Sequence, residues 1–439
     1  GAVVDRGTGI VRFPPDLVEA WVARAPSSFT VRSWNPARAV TIGGRHRAFA
    51  TVGGPPNCSD LERGRRPGTY QDQCALIRLG QSLQALHIGG GAPVEAIDLP
   101  VETRHLDTAV AFLTLTDRAF YARAIGRARI ADAVAMAAIA RGVEPEALRA
   151  APGILSVVNV NSPRRVDGEM AAGLMELARW GQPVIVTPFT LQGAMSPVTL
   201  AGALVQQNAE ALGVIAFAQM AAPGAPVMYG GFTSNVDMRS GAPAFGTPEY
   251  ARAVIAGGQM ARRYGLPYRT SNVNASNAVD AQAAYESQMS LWAALLAGAN
   301  LVHHAAGWLE GGLCASFEKM VLDAEMLQMV GELQRPVVVD DEEMALPAQA
   351  EVGPGGHFFG AGHTLARFEN AFYQPLLSDW RNHGAWLEAG APDAAQRALR
   401  IWKALLDAYT PPPLAPDRRE ALMDHVARRK EEIQREGLR

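Results

Sequence analysis

The run Ala297–Met326, AGANLVHHAAGWLEGGLCASFEKMVLDAEM, decides how the rest of the chain is read. Leu301 and Val302 make a short apolar step that ends in two adjacent histidines, His303 and His304. Small residues, Trp308 and Glu310 follow, then the turn Gly311-Gly312 and a long helix-like pattern. That is a strand whose carboxyl end opens into a polar loop before a helix returns. In barrels of alternating strands and helices, chemistry sits at such ends.

Outward from this point, apolar runs recur with helical stretches between them. The others are Leu83–Ile88, Ala119–Ile125, Ile154–Val160, Val184–Phe189, Val227–Phe232, Pro267–Val273 and Phe358–Gly362. Alanine-rich stretches such as Thr199–Met220 and Ala281–Leu296 separate them. Strands alternating with helices predict parallel pairing, and eight repeats predict closure into an α/β fold, a (β/α)8 TIM barrel. An open doubly wound sheet is the alternative, but no G-x-G-x-x-G follows the first strand.

Residues 1–75, rich in Gly, Pro, Val and Thr, read as an N-terminal cap of short strands and loops. Residues 76–370 hold the barrel, and residues 371–439 form a C-terminal helical extension. The charged final segment, Pro416–Arg435, reads as a solvated amphipathic helix or an oligomer contact. A homo-oligomer is expected.

The chain of 439 residues is 48% hydrophobic and 19% charged, which allows a large core and argues against disorder. A net charge of −3 argues against nucleic acid as the main partner. Cys58, Cys74 and Cys314 make no disulfide framework, and their odd count points to a reducing, cytoplasmic setting. No apolar run is long enough to span a membrane. A chain that starts at Gly1 rather than Met is expected to lack its native beginning.

The strand ends carry the chemistry. They read Asn159-Val160-Asn161-Ser162, Pro188-Phe189-Thr190, Gly230-Gly231-Phe232-Thr233, Arg269-Thr270-Ser271-Asn272-Val273-Asn274 and His303-His304, with His363 beyond the last run. Amides, hydroxyls and aromatics dominate, and carboxylates are scarce. There is no HxH, HExxH or CxxC for a metal, and no GxSxG or GxxxxGK[ST]. Such a pocket suits a cation that cannot donate hydrogen bonds. A quaternary ammonium is one, held by ring faces at about 0.5–2 kcal/mol per contact. Tyr70, Tyr121, Phe189, Tyr229, Phe232 and Trp308 are candidate walls. Arg269 either pairs with a substrate carboxylate or sits in a structural ion pair. Asn272 and Asn274 share one strand face and are read as reaching the pocket. Strand alternation allows only one of His303 and His304 to enter the barrel mouth.

Several longer motifs, in one order, resemble a known family. They are PFTLQGAMS leading into PVTLAGALVQQNAEAL (Pro197–Leu212), DMRSG (Asp237–Gly241) with GTPE (Gly246–Glu249), and DAQAAYES (Asp280–Ser287). GGLCASFEKMVLDAEML, GGHFFGAGHTLARF (Gly355–Phe368) and FYQPLLSDW (Phe372–Trp380) complete the set. Together they resemble the trimethylamine methyltransferase family, strongly over residues 180–385 and more weakly before. The resemblance implies a (β/α)8 barrel that moves a methyl group from a methylated amine to the cobalt of a separate corrinoid protein. Members acting on trimethylamine carry pyrrolysine. This sequence has standard residues alone, so it looks like the non-pyrrolysine branch, whose members demethylate quaternary amines such as glycine betaine. By that analogy His303, as the catalytic residue, and Asn57 are expected at the substrate. No corrinoid-binding DxHxxG occurs in the chain, so the cofactor is expected on a partner protein.

Two other readings keep the barrel. In one, an onium methyl (from a quaternary amine or a sulfonium) goes directly to tetrahydrofolate, gripped by Asn159, Asn272 or Asn274. In the other, the barrel binds a methylammonium compound without turnover.

Overall fold

A computed structural model describes residues 1–438 of the chain. Seven strands form one parallel sheet: β1 (Ala48–Thr51), β2 (Phe120–Tyr121), β3 (Ile154–Val160), β4 (Val184–Pro188), β5 (Val227–Gly230), β6 (Tyr268–Ser271) and β7 (Leu301–Ala306). Their spatial order is β1-β7-β6-β5-β4-β3-β2. The two edges reach toward one short segment: Ala50 bridges Ile88 and Gly89 bridges Phe120, both in parallel. β4, Val-Ile-Val-Thr-Pro, is buried along its whole length, as a parallel strand flanked by helices should be.

Helices flank the sheet. Six of them begin at a Ser, Thr or Asp cap: Thr69, Asp167, Thr199, Thr247, Asp280 and Ser316 each accept a hydrogen bond from a backbone N–H of the first turn. Each cap contributes about 1 kcal/mol and fixes where the preceding loop ends. Ala48, Ala50, Ile88, Leu155, Ile185, Met228 and Leu301 pack in one buried cluster with Val31 and Ile42. The last two come from the antiparallel pair Ser28–Val31 and Val40–Gly43. That pair therefore packs at the amino-terminal end of the strands, where Ala48 and Leu301 begin, and leaves the carboxyl end free.

The structure corrects three readings. Phe358–Gly362 is not a strand: it is a glycine-rich turn with exposed phenylalanines. Its place beside β7 is taken by β1, which lies inside the segment read as a cap. Leu83 caps the helix Tyr70–Ser82, so the Leu83–Ile88 run shrinks to the bridges at Ile88 and Gly89. The charged final helix, Pro416–Glu436, is not merely solvated. One face buries Leu422, Val426 and Ile433, while Arg429 pairs with Asp132 at 2.7 Å and Lys430 with Asp107 at 2.5 Å.

Candidate active site

A cavity of about 700 Å³ lies at the carboxyl ends of the strands. Every strand reaches it, either through its own residues or through those just after it: Gly53, Tyr121, Asn159, Thr187, Phe232, Arg269 and His303, with Gly90 from the bridging segment. Glu95 is the one carboxylate in its lining, and it is engaged by Arg104 and Arg123. Among the described residues no group of three or more His, Cys, Asp and Glu side chains could hold a metal ion.

Arg269, on β6, is 2% exposed and lines this cavity. Its Nη2 donates to His303 Nδ1 at 2.9 Å, while its Nε and Nη1 are buried with no partner. Its guanidinium carbon lies 5.5 Å from the centre of the Phe232 ring. No described carboxylate pairs with it, so the structural ion pair weighed from sequence is not formed. Burying a guanidinium without a counter-charge costs several kcal/mol. Burial lowers its pKa and the nearby Tyr121, Tyr250 and Tyr268 hydroxyls oppose that shift, but an arginine remains a cation.

His303 Nε2–H donates to Gly90 O at 2.8 Å, which assigns the Nδ1 lone pair to Arg269. Its ring stacks on Tyr121, with centroids 4.6 Å apart. Burial first, then Arg269, hold its pKa well below the ordinary histidine value, and the Gly90 carbonyl opposes only in part. His304 is held well below as well, by burial, then His303, then Arg269. Both rings are therefore neutral at pH 7.

Alternation predicted that one histidine would point away, yet both line the cavity. His304 has φ +54°, and the β7–β1 register shifts between Val302 and Ala306. This bulge turns the second ring inward, stacked on the first with centroids 3.8 Å apart. The left-handed backbone costs about 1 kcal/mol or more. The Gly53 N–H donates to His304 Nδ1 at 3.3 Å, and Trp308 packs at 4.2 Å between ring centroids.

Other polar atoms around this cavity lack partners. Tyr121 Oη, Thr187 Oγ1 and Trp308 Nε1 are buried without a hydrogen bond. Phe189, Phe232 and Trp308 supply aromatic surface, with Phe189 and Phe232 centroids 5.2 Å apart. Gly312 is needed beside them: a Cβ there would meet the Trp308 ring at 2.5 Å.

Six of the residues expected at the site line the cavity: Tyr121, Phe189, Phe232, His303, His304 and Trp308. The structure places the others elsewhere. Met228 packs in the buried cluster shared by the sheet strands, so its neighbour Tyr229 faces the other side of the sheet, where its hydroxyl donates to Asn208 and accepts from Gln207. Just past the end of β6 and outside the cavity lining, Asn272 donates to Ala305 O at 2.9 Å and Asn274 to Trp308 O at 3.0 Å. Tyr70 donates to Asp107 O between two helices. Asn57 donates to Leu313 O at 3.0 Å and so ties down the Gly311–Gly312 turn. His363 lies in the short helix Gly362–Leu365, outside the lining. Of the three asparagines offered for a pterin, Asn159 lines the cavity, whereas Asn272 and Asn274 do not.

One group escaped the sequence reading. Lys319 and Asp323 form an ion pair with both side chains fully buried. Lys319 Nζ donates to Ser287 at 2.8 Å, and Asp323 accepts from Asn272 and, at 2.9 Å, from the Gly307 N–H. This network holds the backbone from Ala305 to Trp308. Its signal was present: a Lys and an Asp one helical turn apart in a helix-like run.

A family model described as trimethylamine methyltransferase (MTTB) matches residues 1–434. Glycine betaine methyltransferase of Desulfitobacterium hafniense (strain Y51) is 36% identical, over 95% of this chain and 87% of its own length. Trimethylamine methyltransferase MttB of Desulfitobacterium hafniense (strain DSM 10664 / DCB-2) is 30% identical, over 94% of this chain and 83% of its own. Among solved structures, the Methanosarcina barkeri monomethylamine methyltransferase (MtmB) matches with a TM-score of 0.51, covering 96% of this chain and 83% of that one. At 10% identity, that likeness concerns the fold.

Proposed function

We propose, from the premise that this chain belongs to the trimethylamine methyltransferase family, that it takes a methyl group from a betaine: a small quaternary ammonium that also carries a carboxylate. The observation that carries this reading is Arg269, a buried cation with two unpartnered nitrogen atoms in a cavity walled by aromatics. A carboxylate would pair with the guanidinium in a charge-assisted, two-pronged contact. Tyr121 Oη, Thr187 Oγ1 and Trp308 Nε1 are further donors for it. The onium group, a short distance away, would rest against Phe189, Phe232 and Trp308. The 36% identity to a glycine betaine methyltransferase supports the same class, of which glycine betaine is a short member.

The arrangement also selects against simpler amines. A tetramethylammonium ion would enter a cavity that already holds an unpaired cation and would leave it unpaired. A betaine neutralises Arg269 on arrival, so its carboxylate and its onium charge are recognised together.

We read the sheet, with its two edges linked through Ile88 and Gly89, as a closed (β/α)8 barrel. Its amino-terminal end is packed by the Ser28–Gly43 strand pair, so the reacting methyl can face outward at the carboxyl end alone. The glycine pairs Gly53-Gly54, Gly90-Gly91 and Gly311-Gly312 line this end, and a Cβ at Gly54 would meet nothing within 4 Å. That leaves room for a large flat acceptor above the substrate. A reduced corrinoid carried by a partner protein would supply the nucleophile. The chain itself fixes the C–N bond in line with that opening and excludes water. The leaving group departs as a neutral tertiary amine, so no acid is needed, and the neutral His303 and His304 offer none. His303 instead holds Arg269 in place through Nδ1.

The test is a thermal-shift series on the purified chain, followed by turnover with a reduced corrinoid. Betaines should stabilise it by about 2.7 kcal/mol at 100 times their dissociation constant. At the same concentration, tetramethylammonium and trimethylamine should do less. Equal stabilisation by tetramethylammonium, or no methyl loss from any betaine, would sink this reading.

A further inference from the structure

The cavity is larger than a betaine needs. At about 700 Å³ it could hold a drug-sized ligand, and a betaine is much smaller. The extra space has a direction. Phe120 and Tyr121 are consecutive on β2 and so face opposite sides of the strand, yet both line the cavity. It therefore runs past the end of β2, out of the barrel mouth and into the gap between the helices Arg104–Leu115 and Arg127–Arg141. Arg104, His105 and Ala109 line this lobe from the first helix, and Arg129, Ala133 and Met136 from the second.

The lobe is basic, and its polar atoms are incompletely paired. Across the whole lining four arginines, Arg104, Arg123, Arg129 and Arg269, stand against one carboxylate, Glu95. Glu95 is shared between Arg104, at 3.8 Å, and Arg123. Arg129 donates to Ile125 O at 2.9 Å, and among the described residues no carboxylate bonds to it. Asp132 is already engaged: it accepts from Arg429 at 2.7 Å and from His105 Nε2–H at 2.8 Å. The opposite nitrogen of that ring, Nδ1, is buried without a partner, and so is Arg104 Nε. The His105 side chain is 9% exposed. Buried polar atoms almost always find a partner, so two such atoms on adjacent residues of one lobe call for a ligand.

We infer that this lobe is a second binding site, separate from Arg269, and that it takes a phosphate group. The His105–Asp132 bond joins the two helices, and Arg129 stands one turn from Asp132. Arg104, His105 and Arg129 therefore lie at one level across the gap. A planar carboxylate satisfies one guanidinium fork. A tetrahedral oxyanion presents oxygen atoms in several directions, which suits cations on two separate helices. Hydrogen phosphate also carries a hydroxyl, so it can donate to the Nδ1 lone pair of His105 while its other oxygens accept from the arginines. The phosphate is either a free ion or the tail of a larger molecule that lies in the barrel mouth. The inference rests on the lobe and not on the betaine reading.

Calorimetric titration of the full chain with inorganic phosphate should show binding. Its affinity should fall about tenfold or more in Arg104→Gln and in Arg129→Gln, whereas Arg269→Leu should keep it. Binding of phosphate alongside glycine betaine marks a free ion. Phosphocholine that binds tighter than phosphate and displaces glycine betaine marks a tail. Independently of any variant, a wild-type crystal soaked in tungstate, a tetrahedral dianion with strong anomalous scattering, should show its peak between Arg104 and Arg129. No phosphate binding, an affinity unchanged in both Gln variants, its loss in Arg269→Leu, or a tungstate peak at Arg269 alone overturns the inference. If no betaine binds, the earlier reading falls and the phosphate result stands.

Discussion

The two sides of the segment Arg269–Asn274, strand β6 and the residues that follow it, both bury polar groups, and they treat them in opposite ways. On the outer face, Asn272 and Asn274 give their amide hydrogens to Ala305 O and Trp308 O, backed by the Lys319–Asp323 pair and Ser287. On the inner face, Arg269 spends one nitrogen on a neutral histidine and leaves two without partners. Both sides are buried and both carry charge. The outer one is largely satisfied by the chain itself, and the inner one is not. A buried network closed by its own chain is structure, whereas an uncompensated cation facing a cavity is a reason to expect an anionic ligand.

The contrast breaks most sharply on the outer face. Asp323→Leu alone should strand the Lys319 ammonium in a fully buried site and lose about 3–5 kcal/mol of stability. Lys319→Met together with Asp323→Leu should recover most of that loss, because no charge is then left unpaired. Urea denaturation of the two single variants and the double variant measures it. Additive losses in the double variant would mean that the network is not a coupled unit.

The inner face should answer in the other sense. Arg269→Leu should lower kcat/KM for a betaine by about 10²–10³-fold, in line with about 3–4 kcal/mol for a buried charge contact. It should leave the melting temperature of the ligand-free chain unchanged or raise it, since it removes an unpaired buried charge. A large loss of ligand-free stability would reassign Arg269 to the structural class.

The same strand shows how much could be read beforehand. Arg269 and Asn272 are three residues apart, so the period of two puts them on opposite faces, and both could not enter one pocket. Tyr229 fails by the same rule beside Met228. His304 broke the rule in the other direction: a bulge with positive φ lies in the backbone and leaves no mark in a His-His pair. β3, a seven-residue run rich in Val and Ile, was legible to its ends. β1, Ala-Phe-Ala-Thr, was not, because it is short, follows no helix and sits among glycines. Asn57, Tyr70 and His363 depended on tertiary placement, which spacing does not encode.

Acidity should separate the buried imidazoles from exposed ones. His303, His304 and His87, whose pKa falls to about 4 through burial and then Arg118 and Arg38, are neutral when folded. In the unfolded chain each takes up a proton near pH 6.5. Their folded pKa values are depressed, so the stability they support is fully present above about pH 6.5. It is lost as pH falls from there toward the folded values, by up to about 1.4 kcal/mol per pH unit per group. Melting temperatures from pH 8 to pH 5 should be level at first and then decline. Betaine affinity should show no histidine step between pH 6.5 and pH 8, and such a step would mean that His303 titrates in the folded cavity.

The smallest effect concerns the aromatic wall. Phe189 is half-buried and lines the cavity, so Phe189→Leu should perturb the fold little. The ring attracts an onium group by about 0.5–1 kcal/mol beyond its apolar contact. A leucine keeps the contact and loses the quadrupole. The informative measurement is therefore a difference between two ligands: glycine betaine and 3,3-dimethylbutanoate, which has the same shape and carboxylate but a carbon in place of the charged nitrogen. In the wild-type chain the onium compound should bind tighter. In Phe189→Leu that gap should narrow about two- to fivefold, while the affinity of the carbon analogue barely moves. In Arg269→Leu both ligands should weaken together, because both have lost the partner of their carboxylate. If Phe189→Leu weakened the two ligands equally, the wall would be packing against shape alone, and the positive charge of the substrate would have to be recognised elsewhere in the cavity.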